Sequence, residues 1–65
     1  MRDRILEGTK KHLEGKVAYI RIGIENLLEN SEMEGHSIMN TLDALLGQLT
    51  VEQSKLENLA LFTEY

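Results

Sequence analysis

Residues 6–28 read LEGTKKHLEGKVAYIRIGIENLL, and the apolar positions within them decide the fold. Leu6, Leu13, Ile20 and Leu27 recur every seven residues, and Val17 and Ile24 fill the places between. Steps of alternately three and four residues hold side chains on one stripe of an α-helix, in the seam pattern of a coiled coil. One position of the seam is polar, Lys10. Ile5 and Leu28 widen the stripe at its two ends, so the spacing predicts a helix over about 3–29.

Working outward, residues 38–59 read IMNTLDALLGQLTVEQSKLENL and repeat the pattern. Ile38, Leu42, Leu45, Leu49, Leu56 and Leu59 form a second seam, interrupted once by Glu52 and flanked by Met39, Leu46, Ala60 and Phe62. This predicts a helix over about 38–63. Between the seams, residues 30–37 break the periodicity and end in Ser37, whose hydroxyl suits it to cap a helix. A connection of that length falls within the roughly two to eight residues usual between packed helices. Thr50 and Gln53 have the spacing of a capping box, which would let the second helix stop at Gly47 and restart. The seam nevertheless keeps phase from Ile38 to Leu59, which predicts a continuous or slightly bent helix.

The chain has 65 residues, of which 42% are hydrophobic, with neither proline nor cysteine. That apolar content is enough to fold, and it reads as a single domain over 1–65. A chain this small hides only about 60% of the surface it exposes unfolded, so it needs further support. Without cysteine, neither disulfides nor the common zinc sites can supply it. Two helices of equal length joined by a short loop predict an all-α antiparallel hairpin. A pair of helices cannot cover two wide apolar stripes, so the expected closure is a two-fold homodimer forming a four-helix bundle. Its expected core and interface are Leu6, Leu13, Val17, Ile20, Ile24, Leu27, Ile38, Leu42, Leu45, Leu49, Leu56 and Leu59.

The formal charge of −4 conceals an uneven distribution. Residues 1–21 hold Arg2, Arg4, Lys10, Lys11, Lys16 and Arg21 against Asp3, Glu7 and Glu14, a net +3; residues 22–65 hold Lys55 against eight acids, a net −7. In a hairpin the basic start lies beside Glu52, Glu57 and Glu64, and such rim charge sets register and partner choice. Lys10 and Glu52, the two seam interruptions, are expected to pair and fix that register. The competing reading is a nucleic-acid-binding regulator using Arg4, Lys11 and Lys16 on the first helix, with Tyr19 as a stacking ring. The basic groups are spread over several sides of the helix and interleaved with Glu7 and Glu14, which disfavours that partner.

No constellation for chemistry stands out. Neither His12 nor His36 has a glutamate three residues before it, as carboxylate-bridged metal bundles require; those places hold Thr9 and Met33. Ser37 lacks a nucleophile elbow, and the glycines are scattered singly rather than gathered into a phosphate loop. Glu25, Glu29 and Glu32 fall on a solvated face. The expectation is a non-enzymatic protein with no catalytic residue, cofactor or metal. No apolar run approaches the roughly 18 residues of a membrane span, and the opening residues lack a signal-peptide core, so a cytoplasmic location is expected.

The opening Met1-Arg2-Asp3-Arg4-Ile5-Leu6-Glu7, the Gly35-His36-Ser37-Ile38-Met39 stretch and the closing Lys55-Leu56-Glu57-Asn58-Leu59 through Phe62 resemble a family of short uncharacterised proteins of T-even-like phages infecting marine cyanobacteria. The resemblance implies a two-helix protein made in an infected bacterial cell, where a host or phage protein would be its partner. It transfers no activity and no functional residue. In fold logic alone the chain is also similar to plasmid RNA-binding helical hairpins such as Rop, a likeness that bears only on the nucleic-acid reading.

Overall fold

A computed structural model describes residues 1–29 and 35–63. Helix α1 runs Arg2–Glu29 and helix α2 runs Gly35–Thr63, 28 and 29 residues respectively. The two pack side by side along their length, giving a rod of 48 × 14 × 12 Å. The chain direction reverses between them: the Arg2 guanidinium donates to the Phe62 carbonyl, and Lys16 meets Glu52. The hairpin is therefore antiparallel, as the equal helix lengths imply.

Helix α1 begins one residue ahead of its expected start, with the Ile5 amide donating to the Met1 carbonyl at 3.1 Å. Asp3 in its first turn places negative charge at the positive end of the helix dipole. Helix α2 departs further from expectation, for it starts at Gly35 rather than near residue 38. Ser37 is thus not the cap but the third helical residue. Neither His36 nor Ser37 opposes helical backbone strongly, and an absence of apolar period marks a change of burial, not the end of a helix. The rest of the expected connection, 30–34, lies outside the described residues.

Helix α2 continues unbroken through Gly47–Thr50. Thr50 does not cap a second segment: its hydroxyl donates back to the Leu46 carbonyl at 2.9 Å, the bond a threonine makes inside a helix. Thr9 does the same to Ile5 in α1, at 2.7 Å.

The core follows the two seams. Leu13, Ile20 and Leu27 are buried, and the other nine seam residues are half-buried. Among the described residues no large side chain is completely enclosed. Two helices provide one shared wall, and each seam residue has an open flank. Lys10, at a seam position by spacing, is exposed, whereas Glu52 is as deeply covered as Leu13 at 7% exposure.

Candidate functional site

Glu52 is the one buried charged residue among those described. Its Oε1 lies 3.2 Å from the Lys16 ammonium across the hairpin and 3.2 Å from the Lys55 ammonium one turn along α2. The two lysines are about half exposed, at 45% and 50%, so their aliphatic stems cover the carboxylate while their charges reach water. Burial acts to raise the Glu52 pKa, but hydrogen bonds from Lys55 and Lys16, and their charges, outweigh it and hold the carboxyl below its ordinary value. Burial is the largest single influence on the group, and it is overcome only because the hydrogen bonds and charges of two lysines act together against it. Its Oε2 has no hydrogen-bond partner.

The expected Lys10–Glu52 pair does not form. Lys16, not Lys10, sits level with Glu52, because the antiparallel register brings the middle of α1 beside this part of α2. Lys10 lies about one and a half turns nearer the open end and points into a different groove, and it makes no ion pair among the described residues. Lys55 was legible as a partner from its i, i+3 spacing to Glu52.

Two open grooves run along the hairpin. The first, about 470 Å³, lies at the open end between Asp3, Glu7, Lys10 and Glu14 of α1 and Leu56 and Ala60 of α2. The second, about 980 Å³, lies at mid-length on the opposite side of α1, where His12, Lys16 and Tyr19 face Gln48, Val51 and Glu52. Gly15 and Gly47 are exposed at its border, and a Cβ built on either meets nothing within 4 Å.

Of the residues named for nucleic-acid contact, Arg4 and Lys11 are exposed two turns apart on one stripe of α1, and Lys16 is separated from them and engaged by Glu52. Lys11 and Lys16 do border the mid-length groove with Tyr19. His12 is exposed on the same groove and His36 is exposed at the start of α2; among the described residues no three acidic or histidine side chains are grouped to hold a metal ion. Nor is any described helix long and apolar enough to cross a membrane.

The largest unpartnered features are apolar. Leu28, Met39 and Leu46 are 60%, 68% and 46% exposed, and they continue the half-buried row of Val17, Ile24, Leu42 and Leu49. Comparison with protein-family models, with curated proteins and with solved structures gives no match, so the functional reading rests on the residues of this chain.

Proposed function

We propose that this chain is a non-enzymatic interaction protein that works as a homodimer, two hairpins closing into a four-helix bundle whose outer faces engage a host or phage protein in a bacterial cytoplasm. The observation that carries the reading is the state of the seam. Nine of its twelve residues remain half-buried in the single hairpin, next to exposed Leu28, Met39 and Leu46. Contiguous apolar surface of this kind marks an interaction site, and a helical hairpin covers it most economically with a copy of itself. The phage setting rests on the sequence resemblance alone. Light scattering on the purified chain tests the dimer: a mass of twice 7.4 kDa supports it, and a stable monomer at micromolar concentration refutes it.

A second reading has one observation in its favour, the gathering of Lys11, His12, Lys16 and Tyr19 around one groove. Under it the dimer is a Rop-like regulator that binds nucleic acid through α1. Titration with RNA and DNA separates the two readings, since tight binding that weakens steeply with salt belongs only to the second.

A further inference from the structure

We propose that the mid-length groove between α1 and α2 is the docking site for an acidic segment of a partner protein, one that presents carboxylates beside an apolar side chain. The proposal rests on the reading of this chain as an interaction protein, and adds to it the face used and the chemistry of what that face meets.

The two grooves carry opposite charge. At the open end Asp3, Glu7 and Glu14 stand against Lys10 alone, a net −2. At mid-length Lys11 and Lys16 stand against Glu52, a net +1, and Lys55 on the same carboxylate brings it to +2. The remaining acids of the described residues, Glu25, Glu29, Asp43 and Glu57, line neither groove. Glu52 does not present its charge to an occupant, because it is 7% exposed, whereas Lys11, His12 and Lys16 are exposed. Its carboxylate holds the Lys16 ammonium in place from beneath, so the accessible surface is cationic in a chain of net −4. Lys11 enters no ion pair among the described residues, and the acids one turn from it on α1, Glu7 and Glu14, border the other groove.

The groove is also shaped and lined for a side chain from outside. About 980 Å³ in volume, it exposes Tyr19 and Val51, at 79% and 53%, beside the buried Ile20. Exposed apolar side chains gathered within a polar rim mark an interaction surface. Gly15 and Gly47 border it without side chains, and a Cβ at either meets nothing within 4 Å, so the backbone of a partner can come close to both helices there.

Protein fits this chemistry better than nucleic acid. A duplex carries about one phosphate per 1.7 Å of its axis and is held by many cations along its track. This groove offers two net charges, set among Ile20, Val51 and a carboxylate. A peptide segment with one or two acidic side chains next to an apolar one matches those few charges and covers the apolar surface at once.

Amide signals in nuclear magnetic resonance spectra of the isotope-labelled chain test the proposal, with a short blocked peptide of glutamate and leucine as the probe. The peptide shifts the signals of Gly15, Tyr19, Gly47 and Val51 and leaves those of Glu7 and Ala60, on the open-end groove, in place. Lys11→Glu, with helicity retained by circular dichroism, weakens binding about tenfold, and Lys10→Glu, on the other groove, changes it by less than about twofold. Equal effects of the two variants overturn the proposal, as do an absence of shifts or equal shifts from the counterpart peptide with lysine in place of glutamate. Tighter binding of an oligothymidylate through the same signals overturns it in favour of nucleic acid. Light scattering on the same samples keeps the dimer reading separate. A dimer whose groove takes no peptide overturns this proposal alone, and a monomer that takes it overturns the dimer alone. Groove signals that move when the peptide-free dimer is diluted put the second copy in the groove and overturn this proposal while the dimer stands.

Discussion

Lys16 of α1 and Glu52 of α2 meet across the hairpin at 3.2 Å, and that contact ties the register of two otherwise repetitive seams to one carboxylate. Glu52 occupies a place that the heptad spacing assigns to an apolar side chain, and its Oε2 is left without a donor. Replacing a buried ion pair by a well-packed hydrophobe is often neutral or stabilising, while the lysines left behind here are free to turn to water. Glu52→Leu is expected to raise the melting temperature by several degrees and to broaden the distribution of oligomeric states in sedimentation velocity. A lower melting temperature in this variant means that the carboxylate contributes net stability.

The same carboxylate sets an acid dependence. Burial raises its pKa, yet hydrogen bonds and charge from Lys55 and Lys16 prevail and hold it below the ordinary 4.5. A group whose folded value is depressed stabilises the fold fully above its unfolded value, and that contribution is lost as pH falls through the folded one. Thermal stability carried by Glu52 is therefore constant from pH 7 to about 5 and declines below about 4.5. Glu52→Gln removes this part of the decline, which a series of melting curves from pH 7 to about 3 would resolve by the difference between the two proteins.

Register can be read from two lysines. Lys16→Ala removes the cross-helix partner of Glu52 and leaves only the local bond from Lys55, so it lowers the urea midpoint. Lys10→Ala deletes an exposed side chain without an ion pair among the described residues, and is expected to change the stability of the hairpin by less than about 0.5 kcal/mol. A larger loss at Lys10 than at Lys16, measured below the concentration of self-association, contradicts the register found here.

The seams were legible because one helix face buries one residue class: all twelve seam positions are buried or half-buried, and Met39, Leu46, Ala60 and Phe62, read as flanking, are exposed. The start of α2 was not legible, because Gly35, His36 and Ser37 lie before the seam begins, and hydrophobic period is silent about helical residues without an apolar side chain. The Glu52 partnership was half legible. The spacing marked Glu52 as anomalous and placed Lys55 within reach, but choosing Lys16 over Lys10 required knowing how far the helices slide past each other, and that offset depends on the connection between them. Neither seam spacing nor total charge distinguished the two sides of the hairpin; only the position of the Lys16–Glu52–Lys55 cluster does.

Core burial should dominate single substitutions. Ile20 is buried between the helices at mid-length, whereas Ile22, two residues on, is mostly exposed. Truncating a buried isoleucine to alanine costs about 2–5 kcal/mol, comparable with the entire stability of so small a chain. Ile20→Ala is expected to leave the protein largely unfolded at 37 °C by circular dichroism, on the scale of that loss, and Ile22→Ala to melt within a few degrees of the parent. Equal melting of the two variants would falsify the placement of the core.

Gly15 and Gly47 separate stability from association. Both lie inside helices, where glycine costs roughly 1 kcal/mol relative to alanine. A methyl group at either meets nothing within 4 Å, and neither has a positive φ. Gly15→Ala and Gly47→Ala should therefore each stabilise the hairpin by about 0.5–1 kcal/mol in urea unfolding. Both glycines line the mid-length groove, on the side of the seam away from the half-buried Val17 and Ile24. A second copy seated on the Val17 and Ile24 side never touches the added methyls, so the dissociation constant of the dimer stays the same while the melting temperature rises. If the second copy uses the groove that the glycines border instead, the added methyls meet it, and the same variants gain stability in the monomer but dimerise more weakly. Measuring unfolding and self-association on one pair of variants thus reports which side of the hairpin is covered.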